Sequence, residues 1–218
     1  MIHQGSLDTY ETLSSGRDGL ERFRILHDFG QYILNGVKGD ILEIGVGESS
    51  YYLSQIAKKF NRLIYHCDIS ASKITNPMSV KGYLSDLEEI TYFEERDPTP
   101  EQFRRVVCFA GPSDDLFKRV PIGVLALAFI DGDHKYDQVK RDYINCFSRL
   151  ADGGFVLLHD TCPPDENWMD ENHCGDVWAL RREIECENTD ILTLPSGCVI
   201  GVGLTIIRKR PHNRKSYQ

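Results

Sequence analysis

Three acidic residues and a histidine lie close together in FIDGDHKYD, residues 129–137, directly after an apolar run. Charged groups beside a buried strand cost free energy unless a partner or a ligand offsets that cost. Asp131, Asp133 and His134 are therefore the first candidates for chemistry in this chain. A structural role is the alternative, in which Asp133 or His134 caps the helix that follows.

A polar pair also ends the apolar run of FVLLHDT, residues 155–161, where His159 and Asp160 are adjacent. Carboxylates and imidazoles are groups that move protons or hold divalent cations in proteins. A structural role is again the alternative, in which Asp160 hydrogen-bonds the backbone of a loop.

Alternating strand and helix patterns position these two clusters. Helical periodicity predicts helices over residues 19–34, 49–60, 134–150 and 176–186. Apolar runs predict strands within residues 40–47, 62–70, 106–111, 124–132 and 155–161. This alternation predicts an α/β fold with a mostly parallel sheet and helices on both faces. Ligands of such sheets bind at the carboxyl ends of the strands, where both clusters lie.

The chain is predicted to form a single domain over residues 1–218. We expect an N-terminal helical segment over 1–38, an insertion or lid of broken helices over 71–105, and a basic, solvated tail over 208–218. The last two strands, DILTLP and VGLTIIRK, are joined by too few residues for a helical crossover. We therefore expect them to form an antiparallel hairpin.

The composition argues against several classes of protein. A net charge of −8 disfavours a nucleic-acid partner, because such proteins usually carry a basic surface. The chain has neither a membrane-length apolar stretch nor a secretory signal, so we expect no membrane partner and a cytoplasmic location. Seven cysteines with scattered spacing favour reduced thiols. A homo-oligomer stays open, with the N-terminal segment and the hairpin edge as candidate surfaces.

A glycine turn follows the first strand in LEIGVGESS and is typical of sites for nucleotide-like cofactors. Gly45 and Gly47 let the backbone turn tightly and approach a ligand. Asp68 ends the second strand, at about the 20-residue distance that suits the hydroxyls of a ribose. Ser113 begins the helix after the third strand, where it either caps that helix or contacts the base of a cofactor. A plain turn and a helix-capping Asp68 are the structural alternatives.

Together these features resemble the class I S-adenosylmethionine-dependent methyltransferases. The shared pattern is E-x-G-x-G after the first strand, an acid at the end of the second strand and D-x-D at the end of the fourth. More specifically, FIDGDHKYD and LLHDT resemble a family of bacterial small-molecule O-methyltransferases whose strands end in D-G-D-H and H-D-T. The resemblance covers roughly residues 39–207 and is weak between 71 and 105.

This resemblance implies a Rossmann-like sheet of seven strands whose last strand is antiparallel. It implies S-adenosylmethionine as the cofactor and a small hydroxylated metabolite as the acceptor, such as a sugar or a glycosylated natural product. The implied cofactor-binding residues are Glu43, Gly45, Gly47, Asp68, Ile69, Ser113 and Asp131.

Related O-methyltransferases hold Mg²⁺ at the ends of the fourth and fifth strands, which implies a metal site at Asp131, His159 and Asp160. Histidine suits Mn²⁺, Fe²⁺ or Zn²⁺ better than Mg²⁺, which prefers oxygen ligands. In one mechanism a divalent ion, Mg²⁺ or Mn²⁺, lowers the pKa of the acceptor hydroxyl. In the other, His134 or His159 removes the hydroxyl proton directly, with Asp131 beneath the sulfonium. The sequence leaves both mechanisms open.

Three other hypotheses remain. A structural zinc site could use His159, Cys162, His173 and Cys174, although their spacing has no C-x-x-C pair. A nicotinamide-dependent oxidoreductase would carry a third glycine or an alanine in its glycine motif, where this chain has Ser50. A non-catalytic cofactor-binding subunit would need the glycine turn but not the clusters of acids and histidines.

Overall fold

The computed structural model describes residues 23–75, 90–93, 105–170, 173–184, 189–195 and 202–211. The described strands are β1 (Asp40–Ile44), β2 (Ile64–Asp68), β3 (Ile90–Phe93), β4 (Val106–Ala110), β5 (Leu125–Ile130), β6 (Leu150–His159), β7 (Thr189–Leu194) and β8 (Leu204–Lys209). The described helices are α1 (Arg24–Gly36), α2 (Ser49–Phe60), α3 (Ala71–Thr75), α4 (Ser113–Arg119), α5 (Tyr136–Arg149) and α6 (Val177–Ile184), with a short 3₁₀ helix at Glu166–Trp168.

The strands form one sheet in the order β3-β4-β2-β1-β5-β6-β8-β7. In this spatial order, all neighbouring strands between β3 at the edge and β6 pair in parallel. Strand β8 is antiparallel to both β6 and β7. This arrangement confirms the predicted Rossmann-like, mostly parallel sheet with an antiparallel last strand, and it confirms the predicted hairpin. The sheet has eight strands where seven were predicted, because β3 adds a strand at its edge, within the segment predicted to contain broken helices.

Two apolar cores cover the two faces of the sheet, because neighbouring residues of a strand point to opposite faces. Ile41 packs in the core that includes residues of α1 and α2, and Leu42 packs in the core that includes residues of α4, α5 and α6. Strands β1, β2 and β5 are buried along nearly their whole length, and the sequence of β5, LALAFI, is apolar throughout. The prediction of helices on both faces is therefore confirmed.

The start of β6 differs from the sequence-based prediction, which ended the preceding helix at residue 150 and placed the strand within residues 155–161. Strand β6 instead begins at Leu150, directly after α5. Its pairing with β5 advances from Leu150 to Phe155 while β5 advances by only two residues, so the glycine segment forms an irregularity inside the strand. The φ of 81° at Gly153 explains why glycine is required in this bend.

Cys67 and Cys108 are core residues. Both are buried, and burial raises the pKa of the Cys108 thiol to about 12, so this thiol stays protonated at neutral pH. Cys186 and Cys198 lie outside the described residues. Among the helices that the structure describes, none is long and apolar enough to cross a membrane.

Candidate active site

The glycine turn after β1 packs directly on the backbone that follows β5. Gly45 has a φ of 89°, and a Cβ atom at this position would lie 1.9 Å from the carbonyl oxygen of Asp131. A side chain is therefore excluded both by conformation and by space. Gly47 has no such restriction, because a Cβ atom there would meet nothing within 4 Å. Of the two glycines, only Gly45 cannot be replaced without strain, and it lets the glycine turn pack against the backbone of Asp131.

A fully buried polar network lies beneath this turn. Glu43 has no exposed surface, and its carboxylate accepts hydrogen bonds from the hydroxyls of Ser49 at 2.5 Å and Ser50 at 2.6 Å. Its Oε2 also lies 2.5 Å from Nδ1 of His66, whose Nε2 is 3.2 Å from the hydroxyl of Ser54. Glu43 was predicted to contact the cofactor. The structure instead places it under the turn, with its oxygens occupied by residues that hold β1, β2 and α2 together.

A cavity of about 300 Å³ opens above the carboxyl ends of β1, β2, β4 and β5. Its lining includes five of the seven predicted cofactor-binding residues, namely Gly45, Asp68, Ile69, Ser113 and Asp131. Glu43 and Gly47 are not among the residues that line it. The volume lies at the lower end of the range typical of small-molecule sites.

Asp68 anchors the floor of this cavity. Its Oδ2 accepts a hydrogen bond from the backbone N–H of Val46 at 2.9 Å and lies 3.3 Å from Nζ of Lys73. Its Oδ1 accepts the N–H of Ser70 at 2.8 Å, at the start of α3. The carboxylate thus ties the glycine turn to β2 and also supports the following helix. Lys73 lines the same cavity and was not predicted from the sequence.

The far end of the cavity holds a second buried acid, Asp142, which the sequence-based prediction missed. Asp142 lies on α5 and is 1% exposed, and its Oδ1 accepts hydrogen bonds from the Ser113 hydroxyl at 2.6 Å and the Gln138 amide at 3.1 Å. Burial raises the pKa of Asp142 to about 6, against the opposing effect of these two donors. A signal was available, because Asp142 lies between Val139 and Cys146 on the buried face of an amphipathic helix.

At the opposite end, the two sequence clusters meet. Nδ1 of His159 lies 3.0 Å from Oδ1 of Asp131 and 3.1 Å from Oδ1 of Asp160. Nε2 of His134 lies 3.3 Å from Oδ2 of Asp160 and 3.8 Å from Oδ1 of Asp131. The structure therefore brings together all four predicted catalytic and metal-binding side chains. Asp133 does not join them, since its carboxylate accepts the backbone N–H of Lys135 at 3.0 Å, at the start of α5.

Opposite charges in this cluster shift the pKa values of its members. Burial alone would raise the pKa of Asp131, but His159 and His134 outweigh it and hold that pKa well below its usual range. Burial alone would lower the pKa of His159, but Asp131 and Asp160 outweigh it and raise that pKa to about 10. An imidazole that is already protonated at neutral pH cannot accept another proton, and Nε2 of His159 is buried without a hydrogen-bond partner. Asp131 and Asp160 also raise the pKa of His134, but its side chain is more exposed than that of His159, so His134 is the better placed of the two to reach an acceptor.

A distant loop fixes the orientation of His134. Its Nδ1 makes a short hydrogen bond with the carbonyl oxygen of His173, and its own carbonyl accepts the N–H of Asp176 at 3.1 Å. Gly175 adopts a φ of 53°, and a Cβ atom there would lie 2.3 Å from the His134 carbonyl oxygen. The loop before α6 is thus packed tightly onto the D-G-D-H segment.

Asp131, His134 and Asp160 form the one group in the described part of the chain whose side chains could together hold a metal ion. One ligand atom from each lies within 4.8 Å of the others. The predicted metal set named His159 where this group has His134, and Nδ1 of His159 contacts both carboxylates. The zinc hypothesis is not supported by the described residues, because His159, Cys162, His173 and Cys174 form no such group.

The fold is similar to that of several solved methyltransferases. One similar solved structure is the O-methyltransferase TomG from Streptomyces achromogenes, which is involved in tomaymycin synthesis and was solved with S-adenosylmethionine. Its TM-score is 0.57 at 14% identity, and the match covers 96% of this chain and 100% of TomG. The Podospora anserina methyltransferase PaMTH1, solved with S-adenosylhomocysteine, has a TM-score of 0.57 at 17% identity, covering 96% and 99%. A third similar structure is the MycE methyltransferase of mycinamycin biosynthesis, which was solved with Mg and S-adenosylhomocysteine. Its TM-score is 0.50 at 15% identity, and the match covers 89% of this chain and 50% of the MycE chain.

These structural likenesses show the fold, and sequence comparison shows the family. No curated protein sequence matches the chain significantly. A family model described as a methyltransferase domain matches residues 42–161, which is more than half of the chain. The chain therefore belongs to this methyltransferase-domain family, which confirms the class I S-adenosylmethionine-dependent methyltransferase predicted from the sequence.

Proposed function

We propose that the protein transfers a methyl group from S-adenosylmethionine to a hydroxyl of a small metabolite. One observation carries the proposal: Asp131 both lines the cofactor-sized cavity and belongs to the cluster of His134, His159 and Asp160. A group that holds a cofactor is thereby joined to groups that can act on an acceptor proton.

The cavity offers a place for each part of the cofactor. The Asp68 carboxylate has lone pairs beyond its two backbone hydrogen bonds, so it can accept the hydroxyls of the ribose. Ile69 is 79% exposed at the cavity, and an apolar side chain there is suited to cover the adenine face. Ser113 and Asp142 are then near the edge of the base, and Asp131 near the sulfonium. TomG and PaMTH1, which were solved with the cofactor or its product, support this assignment by their shared fold.

A second cavity, of about 440 Å³, is a place for the acceptor. It adjoins the first, because Gly132 and Asp133 line both, and its other side is formed by His134, Met169 and Asp176. An acceptor there would approach the cluster from the side away from the cofactor. The mixed acidic and basic lining suits a polar acceptor, such as a sugar or a glycosylated natural product.

The reaction breaks the bond from sulfur to the methyl carbon while a bond from the acceptor oxygen to that carbon forms. Sulfur keeps the electron pair and S-adenosylhomocysteine leaves, and the acceptor oxygen loses its proton. Much of the rate enhancement comes from positioning, because the enzyme holds the methyl donor and the acceptor oxygen in line. In one route the proton goes to Nε2 of His134. In the other, Asp131 and Asp160 would hold a divalent ion that would lower the pKa of the acceptor hydroxyl, and the proton would pass to water.

The two alternative functions are less well supported. An oxidoreductase motif would bring a third glycine or an alanine to the start of α2, but Ser50 is fully buried there with its hydroxyl bonded to Glu43. A non-catalytic subunit leaves the Asp131, His134 and Asp160 cluster without a purpose, although close buried charges are costly to keep.

Calorimetry with the full chain tests the proposal. We expect S-adenosylhomocysteine to bind and NADH not to bind, and we expect mass spectrometry to detect methyl transfer to members of a panel of sugar and glycoside hydroxyls. Tight NADH binding without S-adenosylhomocysteine binding would overturn the assignment of the cofactor. Methylation of amines but not of hydroxyls in a matched panel would overturn the assignment of the acceptor atom.

A further inference from the structure

We infer that His134 is the third protein ligand of a divalent-cation site, together with Asp131 and Asp160, and that this site prefers a transition-metal ion such as Mn²⁺ to Mg²⁺. The inference rests on the proposed function and chooses between its two routes. His134 then holds the ion instead of accepting the proton. His159 is not a ligand but orients the two carboxylates.

The ligand atoms already face one another. Nε2 of His134 and Oδ2 of Asp160 are 3.3 Å apart, and one ligand atom from each of the three residues lies within 4.8 Å of the others. Ligand atoms bound to one ion at about 2.0–2.2 Å stand roughly 3 to 4 Å apart, so only small movements are needed. Three protein ligands leave further coordination positions for water and the acceptor oxygen.

The hydrogen bond from His134 to the loop selects the ring nitrogen that can bind the ion. A backbone carbonyl can only accept a hydrogen bond, so Nδ1 of His134 must carry the proton that it donates to the carbonyl of His173. The neutral ring therefore presents the lone pair of Nε2 toward Asp131 and Asp160. Metal-binding histidines in proteins usually donate their other ring N–H in this way.

The two carboxylates also have outer partners. Nδ1 of His159 is within 3.1 Å of Oδ1 of both Asp131 and Asp160, which leaves Oδ2 of Asp160 directed at His134. The N–H of Val202 lies 3.4 Å from Oδ1 of Asp160 on the other side. Every proposed ligand is thus held by a neighbour that does not itself bind the ion, as in established metal sites.

The donor set decides which ion is preferred. Mg²⁺ favours oxygen ligands in a near-ideal octahedron and gains little from an imidazole. Mn²⁺, Fe²⁺ and Zn²⁺ accept a mixture of one imidazole and two carboxylates. The site therefore differs from the one built only of oxygen ligands that Mg²⁺ prefers.

Metal titration of the full chain tests the inference. Metal-free protein saturated with S-adenosylhomocysteine is titrated with MnCl₂ and with MgCl₂ in a calorimeter, and pulsed electron paramagnetic resonance detects histidine nitrogen coupled to Mn²⁺. We expect Mn²⁺ to bind roughly tenfold or more tightly than Mg²⁺. His134→Ala should weaken Mn²⁺ binding at least about tenfold and remove the nitrogen signal. His27→Ala, which removes an imidazole from α1, is the matched control and should change neither.

A second variant keeps the test decisive. His134→Asp supplies only oxygen ligands, so the preference for Mn²⁺ over Mg²⁺ should shrink while S-adenosylhomocysteine binding persists. Wild-type protein that binds the cofactor product but no divalent ion at millimolar concentration would overturn the metal site and leave the proposed methyl transfer standing. Unchanged Mn²⁺ affinity and nitrogen coupling in His134→Ala would overturn the ligand assignment alone.

Discussion

The carboxylates at the two ends of the site have opposite surroundings. At the proposed adenine end, Asp142 accepts hydrogen bonds from a hydroxyl and an amide, and burial raises its pKa to about 6. At the chemical end, burial acts in the same direction on Asp131, but two imidazoles outweigh it and hold its pKa well below its usual range. Both acids are held by well-defined neighbours, which are imidazoles for Asp131 and a hydroxyl and an amide for Asp142.

The difference separates a rigid binding end from a reactive end. The hydrogen-bond partners around Glu43 and Asp142 fix the shape of the turn and the cavity without needing a ligand. The contacts among Asp131, His134 and Asp160 place charged groups where a cation or a proton can exchange with them. If this division is correct, substitutions at the two ends should affect different measurements.

The largest effect is expected from Asp160→Asn. This change removes the charge and keeps the shape, and asparagine tolerates the left-handed backbone found at residue 160, where φ is 56°. Turnover should fall about 10³-fold, within the range of lost acid–base or metal assistance. The Kd of S-adenosylhomocysteine should change by less than roughly threefold. Equal losses in turnover and in product binding would show that the two ends act as one unit.

A smaller effect, on stability, is expected from Asp142→Asn. The folded-state pKa of Asp142 is raised, so wild-type protein loses stability as the pH rises through about 6. Asparagine imitates the neutral acid, so the variant should gain up to roughly 3 kcal/mol in unfolding free energy relative to wild type between pH 4 and pH 7. Urea denaturation at both pH values measures this difference. The exposed Asp137→Asn on the same helix is the control, and an equal gain there would contradict the role of burial.

The smallest effect is expected from Asp68→Asn. Loss of the charged acceptor should weaken S-adenosylhomocysteine about 10- to 100-fold, because hydrogen bonds to charged groups contribute about 1.5–3 kcal/mol. The kcat at saturating cofactor should stay within roughly threefold of wild type, since Asp68 does not reach the reactive cluster. Calorimetry and steady-state kinetics give the two numbers, with the exposed Asp115→Asn as the control. A kcat that fell while the Kd stayed constant would reverse the roles of the two ends.

Strand ends could be predicted from the sequence with good accuracy because parallel strands place their carboxyl ends together. The predicted helix over residues 49–60 coincides with α2, and the strand ends bring Asp68, Asp131 and His159 to one edge of the sheet. The predicted start of β6 was wrong, because glycines of a kind that usually ends a helix form an irregularity within the strand here. Strand β3 was missed within a segment of mixed turn and acidic signals.

Side-chain directions could not be predicted in the same way. Sequence spacing places Glu43 beside the glycine turn but does not show that Ser49, Ser50 and His66 enclose it. Likewise, the choice of His134 over His159 depends on a carbonyl from a loop about forty residues further along the chain. Such contacts depend on tertiary packing, which local patterns do not encode.

The left-handed backbone at Asp160 also has an evolutionary consequence. Among residues with a side chain, aspartate and asparagine enter this conformation most easily, while β-branched residues are strongly disfavoured. Descendants of this protein can therefore exchange a charged group for a neutral one at the end of β6 without disturbing the fold, but few other replacements are open to them. A single conservative substitution would then remove the chemistry while the fold is retained.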